Sequence, residues 1–458
     1  MEKKVQTLRE RLKDYEKNFV IENFDYRNHC GELADVFQMQ ADFDIEGLMD
    51  FWREKNRNEF FEIEHPILAN KSFAIDSVQI GMANFLFMSD EEGLDVWILA
   101  QCEHCINMVI VEGMIYKNNY GNHKPILQKL EKLAEFERFE FLFEPKPFGF
   151  LLSQTRPYHF FYDQLKILVN LERLKPVSSA PSFFFPQCWE VVDQDKRVFL
   201  FPNTIGNNHL NSTKRETVRK LNESMESLVY RESIAEYNRV VGESERKFGL
   251  TLWVGITGQK RSWLQQVEGY VAIIRQLKQS FATIKVYVDG FTARDGETQK
   301  NAEDETICAQ IIEAFIDSGN VEIISLIGRD YRTKICYCDT IDLFIANAGT
   351  GCLVPLRFNK KPGVLHSNTR LFAFPDDYPA TVQRTEKRFT SDKQVDSRAK
   401  IDLLSYHIPW QHIFNLTVEV LKQTRSVNIR LLDVPPVAEV AKSYEAQEKV
   451  ELSRVAPF

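Results

Sequence analysis

The most regular hydrophobic pattern in the chain lies beyond residue 249. Short β-rich runs of apolar residues recur at 250–256, 284–288, 321–327, 341–346 and 363–365, and helical patterns separate them. Strands that alternate with helices in this way form right-handed crossovers and a parallel sheet that is covered on both faces. The pattern therefore predicts an α/β domain with a doubly wound parallel sheet, in which a ligand lies at the carboxyl ends of the strands.

The pattern before residue 249 is less regular. Between residues 72 and 143, β-rich runs alternate with a helical stretch at 125–136, and a second helical stretch follows at 157–171. This alternation also predicts an α/β domain. A long polar helix with an apolar stripe is predicted from Ser212 to Glu245, and we expect it to connect the two domains.

The pattern of the first residues predicts a helix with a narrow apolar seam. Val5, Leu8, Leu12 and Tyr15 follow one another at spacings of three and four residues. A helix of two heptads is too short to be stable by itself, so we expect it to dock on its own domain or on a partner. That partner would be a second copy of the chain or a member of an assembly complex. Binding to a membrane surface is a further alternative, which the acidic residues among the lysines disfavour.

The expected organisation has five parts, because 458 residues exceed the size at which single cores stop growing. These parts are an N-terminal helical extension (1–70), an N-terminal α/β domain (71–210), a bridging helix (211–248), the doubly wound domain (249–425) and a C-terminal tail (426–458).

Composition and charge narrow the class of protein. Hydrophobic residues make up 44% of the chain and charged residues 27%, as in ordinary globular proteins. With 57 basic and 65 acidic residues the formal net charge is −8, which argues against nucleic acid as a partner. The first residues lack the apolar core of a secretion signal, and no apolar run reaches the roughly 18 residues of a membrane span. We expect a cytoplasmic protein, with peripheral attachment to the inner membrane as the alternative.

Two short motifs suggest metal chemistry but favour a simpler interpretation. Cys102 and Cys105 flank Glu103-His104, but the second ligand pair of a structural zinc site is missing, so we expect a turn with free thiols. Asp42 and Asp44 have the Asp-x-Asp spacing of metal-dependent transferases, yet a loop or helix cap is expected at that position. The sequence thus predicts neither a metal site nor a cofactor.

Glycine and polar residues follow the strands of the predicted parallel sheet. In the segment after the first strand, glycine lets the backbone come close to a ligand, the following helix offers unpaired N–H groups, and basic side chains add positive charge. These features together suit a phosphate. The alternative is a plain turn between strand and helix. The segment matches neither a Walker A sequence nor a dinucleotide fingerprint. Similar small or polar residues follow the fourth and fifth strands, so we expect a cleft at this edge. The residues concerned are Thr257, Gly258, Lys260 and Arg261, then Asn347, Gly349, Thr350 and Gly351, and finally His366 and Ser367.

Four short motifs in this region carry a resemblance to a known family. Gly328-Arg329-Asp330-Tyr331, Cys338-Asp339-Thr340-Ile341-Asp342, Gly349-Thr350-Gly351 and Lys361-Pro362-Gly363-Val364 occur in this order. In that order the region resembles the C-terminal domain of GT-B glycosyltransferases, especially bacterial enzymes that build capsular or surface polysaccharide. The resemblance implies two Rossmann-like domains that face a cleft, with a nucleotide sugar bound by the C-terminal one.

The resemblance also implies roles for individual residues. Arg261 and the turn Gly349-Thr350-Gly351 would contact the donor phosphates, while Gly328 and Arg329 would border the base. The acidic residue that binds the ribose in this family has no clear counterpart, and Glu268 is the candidate for it.

The predicted helix at 157–171 holds the candidate for a catalytic base. Pro157 suits the first turn of a helix, and His159 and Asp163 are four residues apart, so they share a face. Histidine beside a carboxylate has a suitable pKa to take a proton from an acceptor hydroxyl. The alternative is a His–Asp pair that satisfies itself at the surface. Arg156 could steer a leaving phosphate or an anionic acceptor.

Together these features predict a metal-independent glycosyltransferase that moves a sugar from a nucleotide sugar to a glycan acceptor in polysaccharide biosynthesis. A sugar-nucleotide epimerase or hydrolase on the same fold is one alternative, because a fold does not fix a reaction. A non-catalytic scaffold of a polysaccharide assembly complex, paired through the N-terminal helix, is the other.

Overall fold

The structure is a computed structural model. It describes residues 2–29, 31–118, 123–135, 145–152, 154, 156–172, 177–178, 191–192, 197–204, 212–242, 248–258, 261–370, 379–393 and 404–455. The chain divides into two compact units, residues 1–225 and residues 226–458. Each unit is described by itself.

The N-terminal unit contains a seven-stranded sheet and a four-stranded sheet. In space, the order is β1-β7-β6-β5-β4-β3-β2 in the larger sheet and β10-β9-β8-β11 in the smaller one. The strands are β1 (Val20–Asn23), β2 (Glu62–Glu64), β3 (Lys71–Ile80), β4 (Ala83–Ser89), β5 (Val96–Gln101), β6 (Met108–Val111), β7 (Met114–Lys117), β8 (Phe148–Phe150), β9 (Val177–Ser178), β10 (Val191–Val192) and β11 (Val198–Leu200).

The larger sheet differs from the Rossmann-like domain that we expected in this half. Its strands β2 to β7 are antiparallel to their neighbours, and only the edge pair β1 and β7 is parallel. Residues 81–82 alone separate β3 from β4, and so short a turn has no room for the crossover that parallel neighbours need. The pairs within the smaller sheet are parallel.

The N-terminal unit also contains helices, and the last of them continues beyond residue 225. They are α1 (Glu2–Leu12), α2 (Tyr15–Asn18), α3 (Glu32–Ala41), α4 (Ile45–Arg57), α5 (Lys124–Ala134), α6 (Pro157–His159), α7 (Lys166–Val169) and α8 (Ser212–Ile234), and a π-helix, Phe160–Leu165, joins α6 to α7. Leu12 and Tyr15 are buried in a core with β3 to β7 and α5, and Arg9 Nε donates to the carbonyl of Ala134 at 2.7 Å. The N-terminal seam therefore docks on its own unit.

Two of the short motifs adopt the simpler structure that we expected. The segment with Cys102 and Cys105 connects antiparallel β5 to β6, and both thiols are free and buried. Asp44 caps α4, where its carboxylate accepts from the amide of Gly47 at 3.2 Å. The stripe of α8 is also confirmed, because Leu221, Met225 and Val229 are buried.

The C-terminal unit contains the predicted parallel sheet. Its order is β14-β13-β12-β15-β16-β17, and each of its pairs is parallel. Counted from β12, this is the 3-2-1-4-5-6 order of doubly wound nucleotide-binding folds. The strands are β12 (Leu250–Gly255), β13 (Ile284–Asp289), β14 (Val321–Ser325), β15 (Leu343–Asn347), β16 (Gly363–His366) and β17 (Val382–Arg384), followed by the small pair β18 (Ser391–Asp392) and β19 (Tyr406–His407).

Five of these strands match the five predicted runs, and β17 is an addition at the edge. The helices of the unit are α9 (Tyr237–Val240), α10 (Gln266–Leu277), α11 (Ala302–Glu313), α12 (Tyr331–Asp339), α13 (Trp410–Arg425) and α14 (Val437–Val455). A short 3-10 helix, Thr350–Cys352, and a π-helix, Leu353–Phe358, follow β15. The core consists of apolar side chains from the central strands packed against α10 and α13.

Candidate functional site

The order of the parallel sheet reverses between β12 and β15. Open α/β sheets bind ligands at such a switch point, outside the carboxyl ends of the strands, because the loops there diverge and leave a crevice. The loop after β12 holds Arg261, and the loop after β15 holds Gly349. A Cβ atom placed on Gly349 would lie 3.4 Å from Nη1 of Arg261. The structure therefore brings together two residues that the sequence assigned to a phosphate site.

Arg261 occupies an unusual backbone and side-chain environment. Its φ of 57° falls in the left-handed region, which costs a side-chain-bearing residue free energy and is often found at functional sites. Its Nε is buried and has no hydrogen-bond partner within the part of the chain that the structure describes. A guanidinium in this condition gains from an anion that accepts its hydrogen bonds.

The turn after β15 is shaped by its glycines. Gly349 has a φ of 129°, a conformation that residues with a Cβ rarely adopt. A Cβ on Gly351 would clash with Oδ1 of Asn347, the buried last residue of β15. Thr350, by contrast, is exposed. The glycines thus let the backbone of the turn come close to a ligand next to Arg261, and Thr350 adds a hydroxyl. Such an arrangement suits a phosphate group.

Thr257 and Gly258 are held in place by neighbouring side chains. The amide and carbonyl of Thr257 pair with the side-chain amide of Gln266 at 3.1 and 3.0 Å, and the amide of Gly258 donates to Oδ1 of Asp304 at 2.8 Å. The other oxygen of Asp304 accepts from the amide of Phe291, after β13, at 2.7 Å. Asp304 therefore connects the loops after β12 and β13, a role that no sequence pattern indicates.

Gly328 and Arg329 lie in the loop after β14. The amide of Gly328 donates to the carbonyl of Phe291 at 2.7 Å, and a Cβ on Gly328 would clash with the backbone of Gln299. The Arg329 side chain is exposed. Phe291 is 36% exposed, so an aromatic ring and a cation are both present where we expect the base.

His366, one of the residues that we expect to contact the ligand, lies between two tyrosine hydroxyls. Its Nδ1 lies 2.8 Å from the hydroxyl of Tyr406 and its Nε2 lies 3.2 Å from that of Tyr270. Tyr270 donates to the carbonyl of Gly255 at 2.7 Å, so it accepts from Nε2–H, and Tyr406 donates to Nδ1. Burial lowers the pKa of His366 to about 3, in keeping with this neutral form. Both nitrogens are engaged, so the ring supports the loops. Neighbouring Ser367 is also buried.

Two other predicted ligand residues are not brought to the turn by any described contact. Glu268 lies on α10 in the wall of a separate cavity, together with Trp410 and Tyr444. Loss of hydration raises the pKa of the Glu268 carboxyl. Lys260 falls outside the described residues. A ribose contact by Glu268 and a phosphate contact by Lys260 remain predictions.

The predicted helix with the candidate base is present in the N-terminal unit. Nδ1 of His159 lies 2.5 Å from Oδ2 of Asp163, and the His159 side chain is 39% exposed. The residues of the opposite face, Phe161, Leu165 and Leu168, are buried as expected. Arg156 precedes the helix and is exposed. Asp163 belongs to the π-helical turn, and such turns are frequent at functional sites.

Lys166 is a buried cation on the turn that follows Asp163. Burial lowers its pKa to about 8, and the Asp163 carboxylate opposes that shift. The Asp163 carboxylate thus accepts a hydrogen bond from His159 and also interacts electrostatically with Lys166. The sequence pattern does not single out Lys166, because a lysine in an amphipathic helix ordinarily lies at the surface.

Comparisons with known proteins give a limited result. No family model and no curated protein matches the chain. Among solved structures, the chain is similar to ADP-heptose lipopolysaccharide heptosyltransferase II of E. coli, with 12% identity and a TM-score of 0.28 over 51% of this chain and 59% of that one. It is similar to a family 9 glycosyl transferase of Veillonella parvula DSM 2008, with 11% identity and a TM-score of 0.26 over 60% and 72%. These similar structures are glycosyltransferases, but TM-scores this low support no argument.

The described residues show neither a metal-binding cluster nor a membrane-spanning helix. No group of three or more His, Cys, Asp or Glu side chains among them is arranged to hold a metal ion. No helix among them is both long enough and apolar enough to cross a membrane.

Proposed function

We propose that the protein is a glycosyltransferase that moves a sugar from a nucleotide sugar to a glycan acceptor in polysaccharide biosynthesis, without a metal ion. The proposal rests on one observation above all. The buried Nε of Arg261 has no hydrogen-bond partner among the described residues, and this cation lies beside the glycine turn of Gly349 at the switch point of a doubly wound sheet. This arrangement suits the phosphates of a nucleotide.

In this proposal, Arg261 and the turn Gly349-Thr350-Gly351 bind the donor phosphates. The sequence adds Thr257, Gly258, Lys260 and Asn347 as further candidates for the same contacts. Gly328 and Arg329 border the base, and Phe291 offers its ring a stacking surface. Fixed positive charge at the phosphates stabilises the departing diphosphate in the role that a metal ion has in other transferases.

His159 is the proposed catalytic base. Because Nδ1–H of His159 donates to Asp163, the lone pair lies on Nε2, which takes the proton from the acceptor hydroxyl. The acceptor oxygen then bonds to the anomeric carbon as the bond from that carbon to the phosphate oxygen breaks. Asp163 stabilises the imidazolium that forms, and Arg156 attracts an anionic part of the donor or acceptor.

Nucleotide binding is the first test of the proposal. Thermal unfolding of the full chain would be followed with UDP, GDP, CMP and ADP, and then with sugar derivatives of the nucleotide that binds. We expect a rise in Tm with at least one of them, since a ligand that binds only the folded state stabilises it. Arg261→Ala should weaken this binding by about tenfold or more, because charge-assisted hydrogen bonds are lost.

The matched control is Arg430→Ala, which removes an exposed arginine of the same unit. It should bind the nucleotide as the wild type does. If no nucleotide raises the Tm, the chain is not a nucleotide-sugar enzyme, and the scaffold alternative gains. If a sugar nucleotide is consumed equally fast with and without a glycan acceptor, hydrolysis or epimerisation replaces transfer.

A further inference from the structure

The C-terminal unit contains a cavity whose lining includes neither Arg261 nor the turn Gly349-Thr350-Gly351. Its volume is about 1000 Å³. Its walls come from α10 and the residues just before it, one residue of α11, the start of α13 with the residues before it, and the first turns of α14 with Pro435. Of the residues assigned above to the donor site, only Glu268 contributes to it. A cavity of this size can hold several sugar rings or a ligand of similar bulk.

The polar part of the lining is neutral or acidic. Four glutamines contribute, and each side-chain amide can both donate and accept hydrogen bonds. Two carboxylates, Glu268 and Glu439, add acceptors, and the described lining includes no Lys, Arg or His. A phosphate or carboxylate ligand would meet repulsion here without a compensating cation. The glutamines are Gln265, Gln310, Gln411 and Gln447.

The side-chain oxygen of Gln265 is a hydrogen-bond acceptor in the lining that lacks a donor among the described residues. The residue is 6% exposed, and its Nε2 lies 2.7 Å from Nδ1 of His407. Its Oε1 has no hydrogen-bond partner among the described residues. A buried amide oxygen without a donor raises the free energy of the folded state, so a ligand hydroxyl that reached it would be favoured.

The apolar part of the lining includes two aromatic side chains. Trp410 is the first residue of α13 and is half-buried, and Tyr444 lies on α14 with its ring centroid 5.5 Å from that of His407. Such rings offer flat apolar faces with a polar edge. The C–H face of a pyranose ring stacks on surfaces of this kind while its hydroxyls remain free to bond with amides.

We propose that this cavity binds an uncharged saccharide. A purely apolar ligand would leave the glutamines unpaired, and an anion would face two carboxylates. A saccharide satisfies both parts of the lining at once, because its hydroxyls pair with Gln265 and the other amides while its apolar face covers Trp410 or Tyr444. The cavity would keep a glycan chain bound to the protein. This binding does not depend on the proposed transferase activity.

Direct titration of the full chain tests the proposal. Isothermal titration calorimetry would use three neutral probes: maltotriose, cellotriose and the trimer of N-acetylglucosamine. We expect saturable binding of at least one, which Trp410→Ala weakens by about tenfold. Spermidine is the contrasting probe, since two carboxylates and aromatic rings also suit an amine. Binding of spermidine with no binding of the saccharides would overturn the proposal, as would no binding of any probe.

A matched pair of variants on α14 separates filling of the cavity from damage to the fold. Ser443→Phe places a ring on a lining residue, whereas Ala446→Phe adds the same ring at an exposed position of the same helix that does not line the cavity. Only Ser443→Phe should abolish saccharide binding, with an unchanged Tm in both variants. Equal binding by the two variants would show that the saccharide lies elsewhere. Nucleotide binding is measured in parallel, so that failure of this site is distinguishable from failure of the donor site.

Discussion

Nδ1 of His159 lies 2.5 Å from Oδ2 of Asp163, one helical turn further along the chain. The carboxylate fixes the ring and the tautomer, so that Nε2 is the nitrogen that can accept a proton. If this nitrogen is the base, His159→Asn should lower the rate of sugar transfer by about a hundredfold to ten-thousandfold. Nucleotide binding should remain at the wild-type level, because His159 does not contact the donor phosphates in the proposed scheme.

The control for this prediction is the same change at His29, whose Nδ1 also has a partner, the carbonyl of Asp25 at 2.7 Å. Asp163→Asn should lower the rate less than His159→Asn does, since it removes the orienting charge and leaves the base. Wild-type turnover by His159→Asn would remove the base assignment and favour a His–Asp pair that only stabilises the helix.

Gly349 should tolerate no side chain. Its φ of 129° strains any residue with a Cβ, and a methyl group would lie 3.4 Å from Nη1 of Arg261, within the space proposed for a phosphate. Gly349→Ala should lower the free energy of unfolding by about 1–3 kcal/mol and weaken nucleotide binding as well. Chemical denaturation and nucleotide titration measure the two effects.

Gly319→Ala is the matched control, because a Cβ on Gly319 would meet nothing within 4 Å. Its stability should change by no more than about 0.5 kcal/mol, and its nucleotide affinity should stay the same. Nucleotide binding by Gly349→Ala at wild-type strength would mean that the turn does not face the ligand.

The parallel sheet could be predicted because its buried strands leave a strong pattern. Strands covered on both faces have continuous apolar runs, as in Leu252-Trp253-Val254 of β12. The sixth strand, β17, escaped prediction because it is short and ends with Gln383 and Arg384 at the edge of the sheet. In the N-terminal half, alternating runs could not distinguish hairpins from crossovers, since both present β-rich segments separated by turns.

The candidate site could be predicted only as far as residues follow strand ends. Arg261 and Gly349 are predicted as ligand residues in this way, whereas the helix that carries His159 is predicted from the spacing of its residues. Asp304 is not predicted, because it lies on a helix and is 46 residues from Gly258 in the chain. His366 followed a strand end too, yet its side chain turned out to be buried between two tyrosines. The position of a residue after a strand thus predicts that it lies in a loop at that edge of the sheet, but it does not predict where its side chain points.

Asp304 should be required for the arrangement of the loops after β12 and β13. Its two oxygens accept from the amides of Gly258 and Phe291 at 2.8 and 2.7 Å. Asp304→Ala leaves both amides without an acceptor, which should cost about 1–3 kcal/mol of stability and weaken nucleotide binding. Glu305→Ala, a change at an exposed neighbour on the same helix, should do neither. Unchanged nucleotide affinity in Asp304→Ala would show that the loops bind independently of this bridge.

His366 should make the protein sensitive to acid. Its pKa is about 3 in the folded chain, below the usual value of 6.5, so on acidification the unfolded chain takes up a proton that the folded chain does not. The free energy of unfolding should therefore fall as the pH drops from about 6.5 towards 3, by up to about 1.4 kcal/mol per pH unit from this residue. Above about pH 6.5 the effect should be absent, since both states are neutral.

The variant His366→Gln isolates this contribution. Losing the bonds to Tyr270 and Tyr406 should make it less stable than the wild type near neutral pH, but its stability should decline less between about pH 6.5 and pH 5. His412 has its pKa lowered to about 4 by burial, so it should contribute in the same direction, and His412→Gln serves as a second test. Urea denaturation across this range gives the slopes. Equal slopes for the wild type and His366→Gln would mean that the buried ring takes up its proton in the folded state as readily as in the unfolded one.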